Sequence, residues 1–220
     1  MAERAYERAI RPRTADRAHA TAWWLDARLP GVLLFMLSAG FMTVIMLAAS
    51  IAPDYDYAGG AISDLGVIPE TALLFNGSLI VVGALNVLGG LLLYRGRGGR
   101  GLLGLFLLAG MGAIGAGAFQ LGTSDLHALF ALLAFVCFNL EALAATSLVR
   151  GPMRVISVVA GLVGLFFAGL MVVGDSGNTA VFGPIGHGGA ERMIVYPVML
   201  WLLAFGGYLM AGSPAGAPDD

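Results

Sequence analysis

Histidine, serine, carboxylate and arginine side chains are sparse in this 220-residue chain, where only 12% of residues are charged, so their placement carries information. Two of the three histidines have acidic neighbours: Asp125 lies just before His127, while Asp175 and Glu191 flank His187, with Arg192 following. Upstream, Ser63, Asp64 and Glu70 share one polar stretch. Three chemistries use such a set. Two imidazoles with Asp64, Asp125 or Asp175 suit zinc or a similar divalent metal, with His127, His187 and Asp64 as the ligand set and a position left for water. A histidine between carboxylates serves as a general base, with Ser63 or Ser124 as nucleophile. Arg192 offers a planar fork for a lipid phosphate. On a catalytic reading Ser63, Asp64, His127 and His187 do the chemistry, and Glu70, Asp125, Asp175, Glu191 and Arg192 surround the substrate. A purely structural reading stands beside it: acids stay at a wet interface because lipid is costly for them, and His127 and Glu191 help start helices.

Glu141 is the one acid deep inside an apolar run. It follows His127 by about fourteen residues, roughly 21 Å along a helix. Asn86 is expected at a similar depth, and Asn139 is near in sequence. An ionisable group there marks a proton relay or solute site by default. A neutral glutamate bonded to Asn86 is the equal alternative.

The elements that must hold these groups follow from hydropathy. The composition is 58% hydrophobic, too apolar for a soluble domain. Apolar runs of about 20 residues, the length that crosses a bilayer, occupy 31–52, 71–94, 101–121, 127–149, 155–174 and 193–212. No alternating strand pattern appears, so the expected fold is all-α, a six-helix membrane bundle over residues 29–212. An Arg-rich arm, residues 1–28, precedes it, and a short tail, residues 213–220, follows. Trp23 and Trp24 suit an interfacial anchor.

Orientation comes from arginine. All twelve basic residues are arginine, and all but Arg192 fall before the first run or in the connections after the second and fourth. Positive charge marks the cytoplasmic side, so both termini are expected in the cytoplasm of a cell-membrane protein. His127, His187 and their acids then face outward. A net charge of −2 gives nucleic acid no footing.

Several motifs lose their usual meaning in this setting. Gly110-Met-Gly112-Ala-Ile-Gly115 matches a dinucleotide fingerprint but lacks a preceding strand. It reads instead as a small-residue packing face with Ala109, Ala113 and Gly117, as do Ala160, Gly164 and Ala168 in the fifth run. Such faces let helices approach closely, within one chain or in a homo-oligomer. Gly174-Asp175-Ser176-Gly177 resembles a protease nucleophile motif that belongs to an all-β fold. Asn76-Gly77-Ser78 is a glycosylation pattern at a membrane-buried position. Cys137 is the sole cysteine, so no internal disulfide forms.

Ala61-Ile62-Ser63-Asp64-Leu65-Gly66, followed by Pro69-Glu70, resembles the first outer loop of the domain-of-unknown-function 998 family, prokaryotic multi-pass membrane proteins. The resemblance runs from Pro30 to Met210. The Ile-Ser-Asp-x-Gly-x-x-Pro-Glu pattern, with His127-Ala128-Leu129-Phe130-Ala131 through Phe135, is also similar to the six-span autophagy-modulator family, which includes GPI-lipid remodelling factors. These resemblances imply a protein concerned with membrane lipids, with Ser63, Asp64, Glu70 and His127 as marked positions. They supply no reaction. Ceramidase-like membrane hydrolases combine Ser, Asp and three His on seven spans; here the paired histidines of the last helix are missing, and His19 is expected on the opposite side. Two functions remain: lipid handling at the outer face, by binding, sensing or metal-assisted hydrolysis or acyl transfer, and a non-enzymatic transporter, channel accessory or structural partner using Glu141.

Overall fold

The computed structural model describes the backbone of residues 14–96 and 98–212, and side chains from Arg28 onward. The expected tail, and the side chains of residues 1–27 of the arm, among them His19, Trp23 and Trp24, lie outside the described residues. Among the described residues there are six α-helices: α1 Thr14–Ile51, α2 Ala72–Gly96, α3 Arg100–Ala118, α4 Leu126–Ala144, α5 Pro152–Asp175 and α6 Gly186–Ala211. Short 3-10 segments cover Ile62–Gly66, Ala145–Ser147 and Thr179–Ile185. Six helices are long and apolar enough to cross a membrane, and no strand occurs among the described residues. The protein is a multi-pass membrane protein, as its hydropathy requires.

Local chemistry sets the helix ends. Arg95 sits in the last turn of α2, where a cation suits the carbonyl end of the helix dipole. Pro152 opens α5, a position whose N–H has no helical partner anyway. The last helix departs from expectation. It starts at Gly186, about two turns before Met193, so Glu191 and Arg192 lie inside a helix rather than at its threshold. A 3-10 segment leads into it, broken at Gly183, whose φ of 54° suits glycine.

Each helix packs chiefly on its sequence neighbours, and α6 returns to α1 to close the ring. Across the ring α4 also touches α6. That contact leaves α5 outside, with Val155, Val159, Leu162 and Phe166 exposed along one face for lipid. The core fills the interior of the bundle, where Phe106, Trp201, Phe205 and Leu202 are fully buried, and the inner face of α5 adds Met153 and Ala160 to it.

Small residues make the close approaches. A methyl added at Gly83 would sit 2.3 Å from the carbonyl oxygen of Gly110, and one at Gly110 would meet that of Gly83 at 2.7 Å, so α2 and α3 touch backbone to backbone. Gly112 and Gly115 press against α4 at Ala134 and Phe130. In α5, Gly161 and Gly164 abut Asn139, and Ala160 and Ala168 are buried. Both small-residue faces are therefore covered by the chain's own helices. Polar cross-links add to this packing. Trp201 Nε1 donates to Ser157 Oγ at 2.8 Å between α6 and α5, and Ser38 Oγ donates to the Met199 carbonyl between α1 and α6.

Candidate functional site

One end of the bundle gathers the arginines Arg95, Arg100, Arg150 and Arg154, and the opposite end gathers Asp54, Asp56, Asp64, Glu70, Asp125 and Asp175. At this acidic end the connection between α1 and α2 folds inward as a plug. Its 3-10 segment buries Ile62, Leu65 and Gly66. Hydrogen bonds tie it down from three directions. Within the plug, Asp64 Oδ2 accepts the Ala61 N–H at 2.8 Å. From the turn just before α2, Thr71 Oγ1 donates to the Leu65 carbonyl at 2.7 Å, and from α2 itself Asn76 Nδ2 donates to that of Gly66 at 2.8 Å. From α6, the buried Glu191 carboxylate accepts the Ile62 N–H through Oε2.

Arg192 completes the anchorage. Its Nη1 donates to the Gly60 carbonyl at 3.2 Å and its Nη2 to Tyr55 Oη at 2.6 Å, while its guanidinium lies 4.1 Å from the Tyr57 ring centroid. Tyr55 Oη in turn donates to the Ala61 carbonyl at 2.7 Å. Burial raises the Tyr55 phenol above its ordinary pKa, with Arg192 acting in the opposite direction. The phenol thus keeps the proton it donates. Gly186 and Gly188 serve the same junction, the first against the Ala58 carbonyl and the second against that of Gly60. A methyl on Gly188 would fall 1.9 Å from the Gly60 carbonyl oxygen, so only glycine lets α6 press on this loop.

Beneath the plug is a cavity between α1, α2, α3, α4 and α6. The cavity volume of about 60 Å³ exceeds the roughly 10–15 Å³ that one water needs. Its walls are apolar, including Phe41, Phe75, Ala131, Phe138, Val195 and Val198. Polar groups enter at the plug end, Ser63, His127 and Glu191, with Asn139 farther along α4. Along α6 the lining runs from Glu191 to Met199, roughly 12 Å of helix.

His127 is buried and its orientation is fixed. Nδ1 lies 3.0 Å from the Ala116 carbonyl and 2.9 Å from that of Phe119, the unsatisfied end of α3. Both partners accept only, so Nδ1 carries the proton. In the neutral ring, Nε2 is then an acceptor on the side away from α3, and the ring lines the cavity.

The expected polar set thus divides. Ser63, His127 and Glu191 share one cavity. Asp64 and Arg192 hold the plug instead of facing a ligand. Glu70 and Asp125 are exposed. His187 pairs with Asp175 at 3.1 Å and packs edge-on against Phe182. No group of three His, Cys, Asp or Glu side chains able to hold a metal occurs among the described residues. The ligand set of Asp64, His127 and His187 is therefore not assembled: the first caps a 3-10 turn, the second spends Nδ1 on α3, and the third turns to Asp175. The phosphate grip expected of Arg192 likewise gives way to Tyr55 and Gly60.

Glu141 and Asn86, for which the sequence left two readings open, meet in the core, both fully buried, with Asn86 Nδ2 donating to Glu141 Oε1 at 2.8 Å and to the Phe106 carbonyl at 3.1 Å. The pair joins α2, α3 and α4, and it is not part of the cavity lining. Three participants escaped the sequence reading. Tyr55 and Thr71 gave no motif, and Asn76 was visible only as a glycosylation pattern. A polar residue beside an Ile-Ser-Asp turn was the available signal.

No curated protein and no solved structure matches the chain. A family model does match, over residues 18–208. With a plugged six-helix bundle and that match over most of its length, the chain belongs to the family described as Protein of unknown function (DUF998).

Proposed function

We propose that this protein binds a single-chain amphiphile, its tail in the cavity and its polar end against Ser63, His127 and Glu191. The supporting observation is the lining: apolar side chains along five helices, with polar groups concentrated at one end. Binding sites for small molecules have this make-up. Apolar walls hold water poorly, whereas membrane lipid supplies hydrocarbon in abundance. The arginine-rich end lies in the cytoplasm with both termini, by the positive-inside rule. The polar end of the site then faces outward at headgroup level in the cell membrane. Lipid extraction and mass spectrometry of purified protein test this. Wild type carries a single-chain lipid near one per chain, and Ala131→Phe, which fills the cavity, loses it while remaining folded. Equal lipid in both would reject the site.

A catalytic use of the same cavity is the second reading, favoured by the fixed His127 ring. With Nδ1–H held by carbonyls, Nε2 is free to take the Ser63 proton as Ser63 attacks an acyl ester carbonyl and to return it to the departing alcohol as the ester C–O bond breaks, leaving an acyl-serine that water hydrolyses. A serine-reactive fluorophosphonate should then label wild type but neither Ser63→Ala nor His127→Gln. No labelling of wild type removes this reading and leaves the binding one.

A further inference from the structure

The hydrogen-bonding character of the cavity's polar end specifies the headgroup. His127 presents an acceptor there, because its one N–H is committed to the Ala116 and Phe119 carbonyls. Glu191 adds a carboxylate. Asn139 commits both bonds of its amide nitrogen to the Phe135 and Ile194 carbonyls, at 2.8 and 3.2 Å. With Glu191 ionised, that leaves the Ser63 hydroxyl as the side-chain donor lining the cavity among the described residues. Arg192, next in sequence to Glu191, is not among the lining residues and is engaged by Tyr55, Tyr57 and Gly60. An anionic headgroup would meet acceptors, the Glu191 carboxyl and the lone pairs of His127 and Asn139, while the Arg192 guanidinium is spent on the plug, an arrangement that disfavours binding.

We infer that the site selects amphiphiles whose headgroup donates hydrogen bonds, an amine or a hydroxyl, and rejects phosphate and carboxylate. This rests on the binding reading above. In position, an ammonium or hydroxyl would donate to Glu191 and to His127 Nε2, with Ser63 able to accept or donate as needed. The selectivity follows from residues that also hold the fold. Glu191 fixes the plug through Ile62 while facing the ligand, and His127 caps α3 while presenting its second nitrogen.

Native mass spectrometry in a non-ionic detergent tests the inference with four probes of one chain length: hexadecylamine, hexadecanol, palmitate and hexadecyl phosphate. The amine and alcohol are expected to form one-to-one adducts at concentrations about tenfold lower than the two anions. Glu191→Gln, which keeps an oxygen for Ile62, should remove the advantage of amine over alcohol, and Asp125→Asn, at an exposed position outside the cavity, should leave it. Comparable adducts with all four probes, or tighter anions, would overturn the headgroup inference while leaving the cavity reading intact. Absence of any saturable adduct, with Ala131→Phe behaving like wild type, would overturn both.

Discussion

Glu141 offers a quantitative test of how this bundle tolerates a carboxyl group in lipid. Both Glu141 and Asn86 are fully buried, and one hydrogen bond of 2.8 Å joins them. Glu141 Oε2 and Asn86 Oδ1 are left without partners. A single proton on Oε2 pairs those two oxygens and closes a cyclic acid–amide pair, and no cation bonds to either group among the described residues. A charged carboxylate at such depth costs roughly 2.5–3.5 kcal/mol or more, so the neutral form is expected. Glu141→Gln then preserves the pattern, because its carbonyl accepts from Asn86 and its amide donates back. Its effect should be within about 0.5 kcal/mol. Glu141→Ala removes buried atoms and strands Asn86, which should cost about 3 kcal/mol from cavity formation and lost bonding together. Asn86→Ala should cost about 1–2 kcal/mol. The double-mutant coupling should be near 1 kcal/mol, within the range of roughly 0.6–1.7 kcal/mol found for polar pairs in membranes. Reversible unfolding in mixed micelles reads all four values. If Glu141→Gln destabilises as much as Glu141→Ala, the group is charged and the pairing is wrong.

Three further outcomes concern the plug and the topology. Gly188→Ala should lower the melting temperature in detergent, since its methyl meets backbone, the Gly60 carbonyl oxygen, at 1.9 Å. A cost of about 1–3 kcal/mol is expected, as for other overpacked sites, and an unchanged melting temperature would show that the loop does not rest on α6. Arg192→Lys should speed limited proteolysis between Tyr55 and Ala61, because a lysine cannot reach Gly60 and Tyr55 together as the guanidinium fork does; wild-type cleavage rates would count against the anchorage. Alkaline phosphatase fused after Gly122 should be active and after Gly151 inactive, and the reverse pattern would invert the assigned orientation.

Hydropathy made the fold legible because each span is a long apolar run bounded by charge or glycine, a signal that packing does not erase. The start of α6 was harder. Glu191 and Arg192 resemble a helix threshold in sequence, yet both are buried within α6 because the plug supplies Ile62 N–H, Gly60 O and Tyr55 as partners. Those partners are more than a hundred residues away, so no local pattern reveals them. The same distance explains the site. Residue types marked Ser63, His127 and Glu191, but only the ring of helices brings them to one cavity. Asp64 and His187 share that chemistry on paper and differ in what the fold gives them to bind: an Ala61 N–H and an Asp175 carboxylate.

The central claim is that a hydrocarbon tail fills the cavity beneath the plug. Anomalous scattering from a single-chain amphiphile brominated at its terminal carbon, bound in crystals of the protein, tests it directly. A bromine peak between α4 and α6 near Val198, with the polar end beside Ser63, His127 and Glu191, is the predicted result. Bromine confined to the lipid-facing surfaces of the helices, with the cavity collapsed or holding only water, would contradict the account.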